Sequence, residues 1–199
     1  MTTPGQDEKL RDLERRFRQT GSPDDEAAWL LERVRVGDLT QERLELAAYC
    51  GHEGARRAVG QCGPEGALAW AQGLARWGRA PCSAAALACA RDVCSYWESG
   101  LGSSLPLDAL ERAQTSSRAE IRELALALQR QTYNIRGHDR SVSSCMAAAW
   151  ALFQVAEEPL TGTEAAMAIA AAGEAHGNHA QALGVAKAAV LSAMKGWHA

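Results

Sequence analysis

His176 and His179 stand three residues apart, with Glu174 just before them. On a continuous helix that spacing puts both imidazoles on one face. Two ring nitrogens there could take a divalent metal with a third ligand from elsewhere. Gly177-Asn178 lies between them, however, and Gly, Asn and His are each favoured where a helix ends. The sequence therefore assigns no metal site. Cys145, Ser141, Ser143 and Ser144 lie near His138, which are residue types of nucleophilic catalysis. Ser141 or Ser143 reads first as the cap of the following helix. Neither a Gly-x-Ser-x-Gly elbow nor a phosphate-binding glycine loop occurs, and no strand precedes Gly100-Leu101-Gly102. No catalytic residue and no cofactor are assigned.

The block Tyr133, Asn134, Arg136, His138, Asp139 and Arg140 gathers two guanidiniums, an imidazole, a carboxylate and a phenol at an interhelix turn. Arg and Tyr are the types that most often carry binding energy. These six residues are the expected binding segment. Its plain alternative is a solvated loop with weak local ion pairs. His138 is the group there whose ordinary titration lies near neutrality. A pocket between helices lined by Tyr133, His138 and Cys145 is the alternative site, for a small molecule or an enzyme's substrate.

His138-Asp139 is similar to the dipeptide of the HD phosphohydrolases, which are also helical. Their metal centre needs a later Asp, and no Asp follows Asp139. His52-Glu53 resembles one His-Glu pair of the HEAT-type di-iron hydroxylase, whose centre needs several such pairs; here there is one. Glu53 reads more simply as an acid at a helix start.

These residues sit on elements that the composition makes helical. The chain has 199 residues, with 40 Ala against 8 Val and 3 Ile. That ratio favours helix over sheet. Hydrophobic residues at 47% and charged residues at 23% exclude global disorder. A formal charge of -3 disfavours a generic electrostatic nucleic-acid binder. The start, MTTPGQDEKLRDLERRFRQTG, has no apolar core of signal-peptide type, and no stretch reaches 18 apolar residues. A cytoplasmic protein that does not enter a membrane is expected. The six cysteines include no C-x-x-C and read as buried free thiols.

Helices are expected at about 6–19, 23–36, 40–50, 52–59, 64–77, 81–98, 106–114, 117–134, 141–157, 162–175 and 178–196. Ser22 and Thr40 read as N-caps and Gly37 as a C-cap. Trp29, Trp70, Trp77, Trp97 and Trp150 are expected in the core. Trp29 and Trp70 lie 41 residues apart, each with a glycine eight residues on, which is near a HEAT or armadillo period. The fold class is all-α: stacked antiparallel helix hairpins in a HEAT-like array, or alternatively a globular helical bundle. Residues 1–21 form an N-terminal docking helix and 22–199 a single helical domain, with a sub-boundary at 99–104. The alanine-rich segment 162–196 reads as closely packed helices, and a homodimer through it is compatible with the rest.

Two stretches carry a resemblance. WLLERVRVGDLTQERLELAAYCGHEGARRAVG, residues 29–60, resembles a helical module that recurs in high-GC bacterial proteins. AAAGEAHGNHAQALGVAKAAV, residues 170–190, is similar to the His-containing tail of all-helical immunity proteins of bacterial polymorphic-toxin systems. It departs from that pattern at Lys187-Ala188, where an aromatic is expected. The resemblance implies a bacterial helical protein that works by binding another protein, a toxin it neutralises. It carries over no functional residue.

Overall fold

The computed structural model describes residues 4–133, 135, 139–156 and 162–194. Local chemistry places most helix ends. The Ser22 hydroxyl accepts from the Asp24 amide and Pro23 takes the first helical position. Thr40 accepts from the Arg43 amide, and Gly37 ends the preceding helix in the left-handed region at φ 82°.

Four helices result in the first part of the chain: α1 (Pro4–Thr20), α2 (Pro23–Val36), α3 (Gln41–Tyr49) and α4 (Glu53–Val59). Seven follow: α5 (Ala67–Leu74), extended by a 3-10 turn at Ala75–Trp77, α6 (Arg79–Leu101), α7 (Leu105–Arg112), α8 (Arg118–Tyr133), α9 (Arg140–Ala156), α10 (Thr163–His176) and α11 (His179–Ala193). Among the described residues there is no strand, so the protein is all-α.

The described residues divide into two compact units, Pro4–Pro64 together with Met194, and those within Glu65–Ala193. The division runs through the stretch 22–199 read as one domain. It does not fall at 99–104, where Ser99, Gly100 and Leu101 simply continue α6.

In the first unit α2 packs against α1, α3 and α4. Leu30, Leu44, Ala47 and Ala55 are fully buried between them. Phe17 of α1 stacks on Trp29 of α2, ring centres 5.7 Å apart. The charged positions of α1 serve the same contact. Lys9 Nζ lies 2.9 Å from Glu32 and Arg16 Nε 2.6 Å from Asp25.

In the second unit α9 packs against α6, α8 and α10, and α6 packs in turn against α10 and α11. Ala147, Ala148 and Ala151 of α9, Ala85, Ala86 and Ala90 of α6, and Ala165, Ala168 and Ala172 of α10 are fully buried. Small side chains at these positions let the axes approach closely, and Trp70, Leu128, Leu152 and Ile169 fill the space left. The contacts of α5 with α10 and of α6 with α11 skip along the chain. A stacked array touches only its neighbours, so the bundle is the arrangement that describes this unit. Helix ends are closed by side chains from other helices. Arg79 Nη1 donates to the carbonyls of Gln154 and Val155 at the end of α9, and Gln154 Oε1 accepts from the Ala165 amide at the start of α10.

Three expectations change. Trp77 and Trp150 are half-buried rather than core, Trp77 as the last residue of the 3-10 turn and Trp150 where its helix borders a groove. Cys62 is exposed, since it falls in the turn after α4, while the other five cysteines are buried free thiols. Burial pushes the Cys82 thiol up to about 11 and Cys89, Cys94 and Cys145 up to about 12.

Candidate functional site

A groove of about 420 Å³ opens on the second unit, floored by α9 and walled by the end of α8 and by α10. The antiparallel run of α9 and α10 sets its two ends. Ser143 meets Glu174 at one end, and Gln154 meets Ala165 toward the other. From α9 the lining takes Val142, Ser143, Met146 and Trp150; from α10, Met167, Ala170, Ala171 and Glu174; from α8 and its exit, Thr132, Tyr133 and Ile135. The alanines give the groove depth. The Thr132 hydroxyl, which also bonds the Gln129 carbonyl, lies 3.2 Å from the Met146 sulfur and ties the α8 wall to the floor. Phe153 braces Trp150 from within, ring centres 5.7 Å apart. Two large apolar side chains stand open to solvent at the rim, Tyr133 at 78% exposure and Met167 at 40%.

The expected binding block divides. Tyr133 lines the groove. Asp139 is spent as the cap of α9, its Oδ1 accepting from the amides of Ser141 at 2.9 Å and Val142 at 3.0 Å. That role was expected of Ser141 or Ser143. Instead the Ser141 hydroxyl donates to the Tyr96 carbonyl at 3.1 Å, and that of Ser143 to Glu174 at 3.3 Å. Arg140 turns away to the end of α10. Its Nε donates to the Ala175 carbonyl at 2.6 Å and its Nη2 to the His176 carbonyl at 3.1 Å. Asn134, Arg136 and His138 lie outside the described residues. Cys145 faces inward, its thiol 3.7 Å from the Leu128 carbonyl, and does not line the groove.

Arg140 leads into a second polar cluster. Its guanidinium lies 4.4 Å from the Tyr96 ring centre, and its Nη2 is 3.4 Å from the Tyr96 hydroxyl. That hydroxyl is 3.2 Å from His176 Nδ1, and His176 Nε2 is 2.7 Å from Asp92. A continuous run of donors and acceptors is available along the chain. Arg140 donates to Tyr96, Tyr96 to Nδ1, and Nε2–H to the carboxylate. Gln181 Nε2 also approaches Nδ1, at 3.4 Å. With 7% of its side chain exposed and both nitrogens engaged, His176 joins the end of α10 to Asp92 and Tyr96 of α6 and to Gln181 of α11. The signal for this cluster was present: Asp92 and Tyr96 are four apart on α6 and so share a face.

His176 and His179 do not converge. Gly177 ends α10 at φ 69°, and Asn178 Oδ1 accepts from the Gln181 amide to start α11. His179 lies over Gly173, where a Cβ would stand 2.3 Å from its Nδ1. Among the described residues no three His, Cys, Asp or Glu side chains gather as metal ligands. His52 caps α4 through the Ala55 amide at 3.3 Å and sits 3.6 Å from Glu26, while Glu53 pairs with Arg56 and Arg57.

In the segment expected to form a homodimer, most of α10 is enclosed, while Ala180, Gly184 and Ala188 of α11 are exposed. No described helix is long and apolar enough to cross a membrane. No protein-family profile matches the chain, and no curated protein or solved structure matches it.

Proposed function

We propose that this chain is a non-enzymatic protein-interaction module of the cytoplasm, and that it binds through the groove between α8, α9 and α10. The observation that carries this reading is the rim. Tyr133 and Met167 are large apolar side chains held open beside a cleft lined by Met146 and Trp150. Aromatic and Met side chains are enriched at interface cores, and thioethers adapt to the shape of a partner. The resemblance of residues 170–190 supports a narrower form, an immunity protein that binds and neutralises a cognate toxin. A toxin-like reading frame beside the gene would support that form, and its absence would count against it.

A second reading is a small-molecule carrier. It is favoured by the groove's volume of about 420 Å³, which is within the range of ligand pockets. Site-specific photocrosslinking separates the two. A photoreactive residue at position 133 or 167 is expected to trap one discrete protein in the native host, and one at Arg122, exposed near the opposite end of α8 and outside the groove lining, is not. Equal trapping from all three positions would defeat the proposal.

A further inference from the structure

Charge indicates what the groove takes. Glu174 is the one charged side chain in its lining among the described residues. The carboxylate receives the Ser143 hydroxyl at 3.3 Å and meets no cation among the described residues. It also stands in the last turn of α10, where the helix dipole disfavours negative charge. A residue that breaks a local rule without internal compensation marks a functional position. The remaining lining is apolar or hydroxylic, with Met146, Trp150 and Met167 supplying the bulk. Along α10 the lining runs from Met167 to Glu174, about 10 Å at 1.5 Å per residue. That length matches about two turns of a docked helix, whose anchors recur at i, i+3 or i+4, and i+7.

We infer that the occupant is an amphipathic helix of a partner protein. Its apolar anchors enter between Met146, Trp150 and Met167, and a Lys or Arg about two turns along pairs with Glu174. This rests on reading the groove as a protein-docking surface. The basic residue sets the direction in which the helix lies, because the carboxylate stands at one end only.

The test is selection of a displayed library of random 16-residue peptides on the full chain, with counter-selection on Ala170→Trp, which fills the groove. Enriched peptides are expected to carry spaced apolar anchors and one basic residue. Glu174→Gln is expected to weaken them about threefold to tenfold, the range for a partly desolvated ion pair. Replacing the peptide's basic residue should cost the same factor in wild type and nothing in Glu174→Gln. Methyl signals of Met146 and Met167 should shift on binding. Groove-dependent peptides that bind Glu174→Gln equally well would overturn this inference and leave the docking surface standing. Enrichment of no groove-dependent peptide would overturn both.

Discussion

Ser143 and Glu174 face each other across one end of the groove, hydroxyl to carboxylate at 3.3 Å, and so join the first turn of α9 to the last turn of α10. A serine contact is modest compensation for a carboxylate set against a helix dipole. Glu174→Gln is therefore expected to leave folding stability unchanged or raise it by about 0.3–1 kcal/mol at low salt. Urea unfolding measures this. A clear loss of stability would assign Glu174 a structural role instead.

Arg140 has the opposite character. It closes the carbonyls of Ala175 and His176 and stacks on Tyr96. Arg140→Ala is expected to cost roughly 1.5–3 kcal/mol, from lost capping and cation–π contact. Combined with Tyr96→Phe the losses should be less than additive, since the two side chains form one cluster. Additive losses in a double-mutant cycle would show that they act independently.

Gly173→Ala tests the close approach of α11. The added Cβ would meet both the ring and the Cα of His179, at 2.3 and 2.9 Å. Backbone must then move, and a cost of about 1–3 kcal/mol is expected from overpacking. A variant as stable as wild type would show that the α10–α11 turn is more open.

Two carboxylates of α2 give opposite pH dependences. Burial raises the Glu26 carboxyl above its ordinary 4.5, partly offset by the Gly54 amide. The folded state then holds a proton the unfolded state releases, so stability falls as pH rises from 4.5 through the raised value. Hydrogen bonds from Arg35 and Lys9 hold Glu32 at about 2. Its contribution is complete above 4.5 and is lost as pH falls from 4.5 toward 2. Glu26→Gln should raise stability at pH 7, and Glu32→Gln should lower it there and flatten the acid limb. Unfolding curves from pH 2 to 7 check both signs.

The caps and helices were legible because they depend on neighbours in sequence. Ser22, Thr40 and Gly37 act within one turn of where they stand. Tyr133 was singled out in the sequence by its type and lines the groove, but its neighbours there were not legible. Trp150 was expected in the core and Met146 and Met167 carried no signal of their own, and only the packing of α8 and α10 on α9 leaves the three at an edge. The contacts of Arg140 with the end of α10 were not legible for a related reason. Guanidinium at a turn suits a partner and suits a distant helix end equally, and the end of α10 lies 35 residues on. Cys62 follows the same logic, as its exposure depends on the turn and not on its residue type.

That difference can be read chemically. One thiol, Cys62, should react with maleimide in the native protein at neutral pH. The buried thiols held at about 11 to 12 should react only on unfolding. Mass spectrometry counts the adducts. Fast native labelling of Cys89 or Cys145 would contradict the packing of α6 and α9.

The groove is the centre of this account, and plugging it is the direct test. Ala170 is half-buried in its wall, so Ala170→Trp fills the cleft at little cost to the fold. With a photocrosslinker at position 133, the plug is expected to abolish the crosslinked product while leaving the melting temperature within a few degrees of wild type, about 1 kcal/mol or less. A crosslink that persists undiminished in the plugged, folded protein would place the binding surface elsewhere.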